Sequence, residues 1–117
     1  MKFKILSLAI VLTITGNAFA GTAYIQNKKI SKIRAVGDYP ATTYDNSVEL
    51  WFSTPIEWPT TVNCTNTSRV YIDAKYNHLV SAAYMALAAG KTVSVHVDDQ
   101  LPNRDGSCEI SYLDIIN

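Results

Sequence analysis

The residues that could support catalysis or metal binding are few in this 117-residue chain. His96 and Asp98 lie two residues apart on a predicted strand, where they would share one face and could hold a metal ion or orient an imidazole. The other histidine, His78, has no motif around it, and we identify no third ligand. We therefore expect a protein that is not an enzyme and has no cofactor and no metal site. A small hydrolase that uses His96 with Asp98 is the lowest-ranked alternative.

The acidic segment 98–106 suggests calcium binding at first sight. When Asp105 and Gly106 are aligned with the EF-hand loop, its first and last ligand positions fall on Leu101 and Tyr112, and neither supplies a carboxylate. We expect an ordinary solvated turn here.

The N-terminus has the three parts of a cleavable secretory signal. Lys2 and Lys4 form the positive end, residues 5–14 are apolar, and residues 18–20 make a small-x-small cleavage site. The apolar run is about ten residues long, whereas about twenty are needed to cross a bilayer. We predict a signal peptide over 1–20, a secreted or periplasmic protein and no membrane span.

The mature chain, residues 21–117, is predicted to be a single domain and is weakly acidic. Cleavage removes two lysines and no acid, which leaves eight Lys plus Arg against ten Asp plus Glu and a formal charge of −2. Nucleic-acid binders usually carry a basic face, so we expect no nucleic-acid partner. The basic residues between Lys28 and Arg34 are expected to form a solvated strand face.

Cys64 and Cys108 are the only cysteines. A small domain encloses a modest core, and export places both thiols in an oxidising compartment. We predict a Cys64–Cys108 disulfide. A free thiol or a metal site is the alternative, but no CxxC motif or Cys/His cluster accompanies either residue.

Short β-type runs alternate with turn-rich segments along the mature chain. The predicted strands cover 22–36 (as two short strands with a turn at Lys28–Lys29, or one bent strand), 48–52, 69–74, 92–97 and 108–116. The intervening loops cover 37–46, 54–68 and 98–107. Trp51 is expected in the core, and the last strand is expected near the centre of a sheet because both of its sides carry apolar groups.

One helix is predicted, over 76–89, with Asn77 as N-cap and Gly90 as stop. Its core stripe is expected to consist of Tyr76, Leu79, Val80, Ala83 and Leu87. The opposite face carries no firm charge and consists of His78, Ala82, Met85 and Ala89, with Ser81. A helix without charged residues is usually covered on more than one side, which predicts a homo-oligomer built through this face. An exposed face that is rich in alanine for helix propensity is the alternative.

The single helix excludes a repeated α/β crossover fold. We predict a mainly β fold with one helix, in the form of a small antiparallel barrel or sheet of the oligonucleotide/oligosaccharide-binding (OB) type with the helix packed across it.

The run from Tyr76 through Gly90 to the alternating valines at 93, 95 and 97 resembles the helix, glycine stop and strand of the binding subunits of bacterial five-subunit toxins, in particular the pertussis-like and subtilase-like groups. The resemblance covers roughly residues 69–116. It implies a secreted, disulfide-containing OB barrel that forms rings with its helices at the centre and binds cell-surface glycans. It assigns no binding residue here. The same layout also resembles small exported bacterial proteins of unknown role, which implies nothing about glycans.

Aromatic residues in the predicted loops are the best binding candidates in the sequence. Tyr39 and Tyr44 lie in the first loop and Trp58 lies between two prolines in the second. Such rings offer stacking surfaces to sugars or protein partners, although packing over the end of the sheet is the alternative for Trp58. We expect a binding module for a glycan or a protein, and the alternative is a monomeric periplasmic protein with a structural or inhibitory role.

Overall fold

The computed structural model describes residues 21–117, so the predicted signal segment 1–20 lies outside the described residues. The elements are β1 (Thr22–Val36), β2 (Ser47–Phe52), β3 (Arg69–Asp73), α1 (Asn77–Ala89), β4 (Thr92–Asp98) and β5 (Ile110–Ile116). The predicted mainly β fold with one helix is confirmed.

The five strands form one sheet in the order β3-β2-β1-β4-β5, and every neighbouring pair is antiparallel. The sheet is open rather than a closed barrel, although its outer strands approach at one point. There, Tyr71 and Glu109 form an isolated parallel bridge, and the Tyr71 amide donates to the carbonyl of Cys108 at 3.1 Å. The prediction that the last strand lies near the sheet centre is wrong, because β5 is an edge strand.

The long strand β1 joins the two halves of the sheet. Its first half pairs with β4 and its second half with β2. The register shifts between Ile25 and Lys28 in the first half, and again between Ile30 and Lys32 in the second. Asn27 has φ 57°, a left-handed conformation that asparagine tolerates better than most residues. These bulges bend one continuous strand, so the alternative turn at Lys28–Lys29 is wrong.

The core lies between the sheet and α1. Its fully buried members are Leu50, Val70, Ile72, Ala83, Ala86, Val93, Val95 and Val97. Alternation along β2 directs Val48 and Phe52 to this core, together with Leu50, and turns Glu49 and Trp51 to the other face. Trp51 is therefore half-buried on the outer face of the sheet, and its predicted place in the core is wrong.

The helix α1 begins at Asn77, one residue after the start of the predicted segment, so the prediction that Asn77 is its N-cap is wrong. Tyr76 is the N-cap, without a side-chain hydrogen bond, and Gly90 ends the helix in the left-handed conformation at φ 64°. Ala83 and Ala86 are buried against the sheet, whereas Leu87, predicted to face the core, is 38% exposed. No helix within residues 21–117 has the length and apolar character needed to cross a membrane.

The predicted disulfide is present between Cys64 and Cys108. It joins the 54–68 loop to the residues just before β5. Next to it, the amides of Thr65 and Asn66 donate to the carbonyl of Gly106 at 3.0 and 2.8 Å. The two long loops are thereby fastened to each other at one end of the sheet.

Gly106→Ala is expected to lower the free energy of unfolding by about 1–2 kcal/mol. Gly106 has φ 76°, and a Cβ atom there would overlap the Thr65 hydroxyl. Gly37→Ala is the matched control, because a Cβ at Gly37 meets no atom within 4 Å. Urea denaturation of both variants checks this, and equal stability of the two would contradict it.

Candidate functional site

Three rings lie against one another on the outer face of β1, β4 and β5. The strand register places Tyr24 opposite His96 and His96 opposite Tyr112. The His96 and Tyr112 rings are stacked, with centroids 4.6 Å apart and planes at 6°, and the Tyr24 and Tyr112 centroids lie 6.1 Å apart. Tyr24 is 41% and Tyr112 is 45% exposed. We call Tyr24, His96 and Tyr112 the ring platform.

A carboxylate lies at the edge of the ring platform. Asp114 shares a face with Tyr112 two residues earlier, and the Tyr24 hydroxyl donates to its Oδ2 at 2.6 Å. This hydrogen bond to the carboxylate raises the pKa of Tyr24, because it favours the protonated phenol. Asp114 is exposed, so it offers acceptor sites next to the rings.

Ser111 fixes the orientation of the His96 ring. The register of β4 and β5 shifts between His96 and Val97, so Ser111 lies in a bulge beside Tyr112. The Ser111 hydroxyl bonds to His96 Nδ1 and donates to the His96 carbonyl at 3.2 Å. These two contacts hold the hydroxyl beside the imidazole, and the direction of the bond to Nδ1 depends on the tautomer of His96.

The structure gives Asp98 a role in the loop rather than at His96. Its Oδ1 accepts from the amide of Gln100 at 2.9 Å, which stabilises the turn after β4. Within residues 21–117 no three side chains of His, Cys, Asp or Glu are grouped so that they could hold a metal ion.

An open cleft of about 620 Å³ extends from Tyr24 along β1 to the 54–68 loop. Its polar lining includes Gln26, Lys28, Thr54 and Glu57. The Lys28 ammonium donates to Thr54 Oγ1 at 3.0 Å and to the carbonyl of Pro55 at 2.7 Å, which ties the loop to the strand. The ring platform therefore continues into a polar groove with several hydrogen-bonding groups.

Comparison of the chain with protein-family models, with curated proteins and with solved structures gives no match. Its function is therefore inferred from its own residues and their geometry.

The three aromatic residues predicted to bind lie apart from the ring platform. Tyr39 is 56% exposed, and its amide donates to Asp45 Oδ1 at 2.5 Å. Trp58 packs against the core and donates from Nε1 to the carbonyl of Asn66 at 2.7 Å. This arrangement corresponds to the alternative for Trp58, in which the ring packs over the end of the sheet. No hydrogen bond or ring contact within residues 21–117 joins Tyr39, Tyr44 and Trp58 to one another.

Tyr44 contributes to holding the 98–107 loop. Its hydroxyl donates to Asp105, and this bond raises the pKa of Tyr44 by favouring the protonated phenol. The Arg69 guanidinium donates to the same hydroxyl at 3.3 Å and lies 3.8 Å from Asp105. We assign Tyr44 a positioning role in this loop.

Trp51 and Glu49 form a second polar surface, on β1, β2 and β3. The Lys32 ammonium lies 4.0 Å from the Trp51 ring centroid, and the Arg34 and Arg69 guanidinium groups lie 4.9 and 5.1 Å from it. Glu49 is 2% exposed, and its carboxylate lies 3.6 Å from Arg69 and 3.8 Å from Arg34. The basic face of β1 is thus partly engaged with an aromatic ring and a buried carboxylate.

The helix face predicted to mediate oligomers is largely exposed in the single chain. His78 and Ala89 are exposed, Met85 is 62% exposed and Ala82 is half-buried. Tyr84, on a neighbouring side of the helix, is 42% exposed. The oligomer remains a prediction.

Sequence reasoning missed the ring platform. Tyr24 lies between Ala23 and Ile25, and this alternation was the signal that its ring faces away from the core. Tyr112 follows the bulge at Ser111, so no local alternation indicated the direction of its ring. Only the pairing of β1, β4 and β5 brings them together.

Proposed function

We propose that the mature chain is an exported, non-enzymatic binding protein that holds a carbohydrate on the ring platform. The observation that carries this proposal is the pair of half-exposed tyrosine rings next to a carboxylate and an open polar cleft. The C–H face of a sugar packs on an aromatic ring, and its hydroxyl groups donate to carboxylate oxygens. Asp114 supplies such oxygens beside Tyr24 and Tyr112.

The charge near the platform favours a neutral or cationic ligand over a nucleic acid. Stacked rings also bind bases, but base binding normally includes cations that contact the phosphates. Here Asp114 lies at the platform, and Lys28 already donates to the 54–68 loop. A sugar uses the same rings without placing a phosphate near the Asp114 carboxylate.

The proposal of a binding role without catalysis is supported by the bonds of His96. Its Nδ1 bonds to Ser111 and its ring is stacked on Tyr112. These contacts fix the ring as part of a surface. Export is supported by the predicted signal segment and by the Cys64–Cys108 bond, which fits an oxidising compartment.

A glycan array followed by calorimetry tests the carbohydrate proposal. The mature, oxidised chain is applied to neutral, amino and acidic oligosaccharides, and the strongest binders are titrated in solution. We expect saturable binding to at least one neutral or amino sugar. Absence of binding to every class would contradict the proposal.

A protein partner at α1 is the second candidate, because Tyr84, Met85 and Leu87 are all exposed there. The partner would be a second copy of this chain, as in the ring-forming family that the sequence resembles. The alternative is a monomer that contacts another protein.

Met85→Glu is expected to dissociate such an oligomer without loss of stability, because Met85 is 62% exposed and contributes little to the core. Sedimentation at tens of micromolar measures the mass of both forms, and Thr43→Glu in an exposed loop is the control. A mature wild-type chain that is already monomeric would rule out assembly through α1.

A further inference from the structure

A second cavity, of about 250 Å³, lies between the start of α1, the 98–107 loop and the residues around the start of β5. Leu79, Leu101 and Ile110 make its lining largely apolar. Three polar residues, His78, Glu109 and Ser111, also line it, together with Tyr76. The cavity is smaller than the ~300–1,000 Å³ pockets of drug-sized ligands, so it suits a short chain or a single side chain.

Glu109 brings a carboxyl group into this apolar setting. The residue is 4% exposed, and none of the hydrogen bonds or ion pairs within residues 21–117 involves its carboxyl group. Burial raises the pKa of Glu109, and the nearby carboxylate of Asp73 raises it further. Within residues 21–117 the fully enclosed side-chain atoms without a hydrogen-bond partner are Glu49 Oε2 and Arg69 Nε, so the Glu109 oxygens are not sealed off. Glu109 lines the cavity, where a ligand can reach its carboxyl group. A carboxyl group in a cleft with a raised pKa is a candidate binding group.

The cations nearest to Glu109 are engaged elsewhere. The Arg104 guanidinium lies 3.5 Å from Asp73 and donates to the carbonyl of Asp45 at 2.6 Å. The Lys75 ammonium lies 5.1 Å from the Tyr76 ring centroid. Both lower the pKa of Glu109 through their charge but do not cancel the effect of burial.

We propose that this cavity binds a primary ammonium group on a short alkyl chain, with Glu109 as its counter-ion. The ammonium donates hydrogen bonds to the Glu109 carboxylate and supplies a counter-charge, and the methylene groups pack on Leu79, Leu101 and Ile110. Tyr76, at the same cavity, adds an aromatic ring that attracts cations. The ammonium site is independent of the carbohydrate proposal. One residue connects the two sites, because Ser111 lines the cavity and also bonds to His96 of the ring platform.

Calorimetric titration of the full mature chain with n-butylammonium chloride tests this site. The lysine derivative Nα-acetyl-lysine amide is titrated in parallel, and n-butanol serves as the uncharged control. We expect the ammonium compounds to bind and butanol not to bind. Stronger binding of the lysine derivative assigns the site to a protein ligand, and stronger binding of butylammonium assigns it to a free amine.

Glu109→Gln is expected to weaken ammonium binding at least about tenfold, which corresponds to ~1.4 kcal/mol. Asp38→Asn removes an exposed carboxylate in the 37–46 loop and is expected to change nothing. Equal affinity of the wild type and Glu109→Gln, or equal binding of butanol, would overturn the proposal.

A carboxyl NMR titration of the wild type keeps the test independent of the folding of the variant. Bound ammonium favours the ionised carboxylate, so saturating butylammonium is expected to lower the pKa of Glu109. Asp73, Arg104, Lys75 and His78 surround the site. The Asp73 carboxyl group is followed in the same spectra, and the His78 ring is followed in a parallel imidazole titration. An unchanged Glu109 titration curve would also overturn the proposal.

Discussion

Replacing Cys64 and Cys108 together by serine is expected to lower the free energy of unfolding by about 4 kcal/mol. The two cysteines are 44 residues apart in sequence, so the bond removes much of the freedom of the unfolded chain. A domain of this size has a modest core, and this loss is a large part of its stability. Urea denaturation of the variant and of the oxidised wild type measures the difference.

Reduction of the wild type with dithiothreitol is the matched control, and it should reproduce the stability of the double variant. The same loss should appear locally as faster hydrogen exchange at the amides of Thr65 and Asn66, which donate to Gly106 beside the bond. A loss below about 1 kcal/mol would show that the loops hold together without the disulfide.

Tyr112→Ala is expected to weaken carbohydrate binding about thirty-fold, or ~2 kcal/mol, as the loss of a central aromatic contact does at other interfaces. Tyr112 stacks on His96 at 4.6 Å and lies 6.1 Å from Tyr24, so its removal breaks up the whole ring platform. Its own exposure of 45% means that stability should change little in comparison. Calorimetry with the best sugar from the array measures the affinity.

Two control variants separate the platform from the loops. Tyr112→Phe keeps the ring and should bind nearly as well as the wild type. Tyr39→Ala removes a 56% exposed ring from the 37–46 loop and should leave affinity unchanged. A large loss with Tyr39→Ala and none with Tyr112→Ala would place the site in the loop that the sequence pattern favoured.

Local patterns were enough to predict most of the elements. The alternating valines of β4, with Ser94 and His96 between them, give the strand with its buried and outer faces. Gly90 marks the end of α1, because the left-handed conformation there favours glycine. The disulfide follows from two cysteines and the predicted export.

Predictions that depended on tertiary context were less successful. The two sides of β5 both carry apolar groups, but an outward tyrosine is a surface group here and does not indicate a central strand. Trp51 looks like a core residue by type, whereas the alternation of β2 places it outside, next to three cations. Residue type predicted burial less well than position in the strand did.

The candidate site could not be read from the sequence, because its parts are distant along the chain. Tyr24 and Asp114 are 90 residues apart and meet only through the pairing of β1 with β4 and of β4 with β5. The bulge that places Ser111 against His96 also depends on this register. Glu109 likewise becomes notable only when its burial and surroundings are known.

An NMR titration of the isotopically labelled mature chain with the best-binding sugar tests the ring platform most directly. The ring signals of Tyr24, His96 and Tyr112 are expected to shift together and to saturate at one dissociation constant, while those of Tyr39 and Tyr44 stay in place. Shifts confined to the ring signals of Tyr39 and Tyr44, with unchanged signals from the ring platform at saturating sugar, would contradict the proposed site.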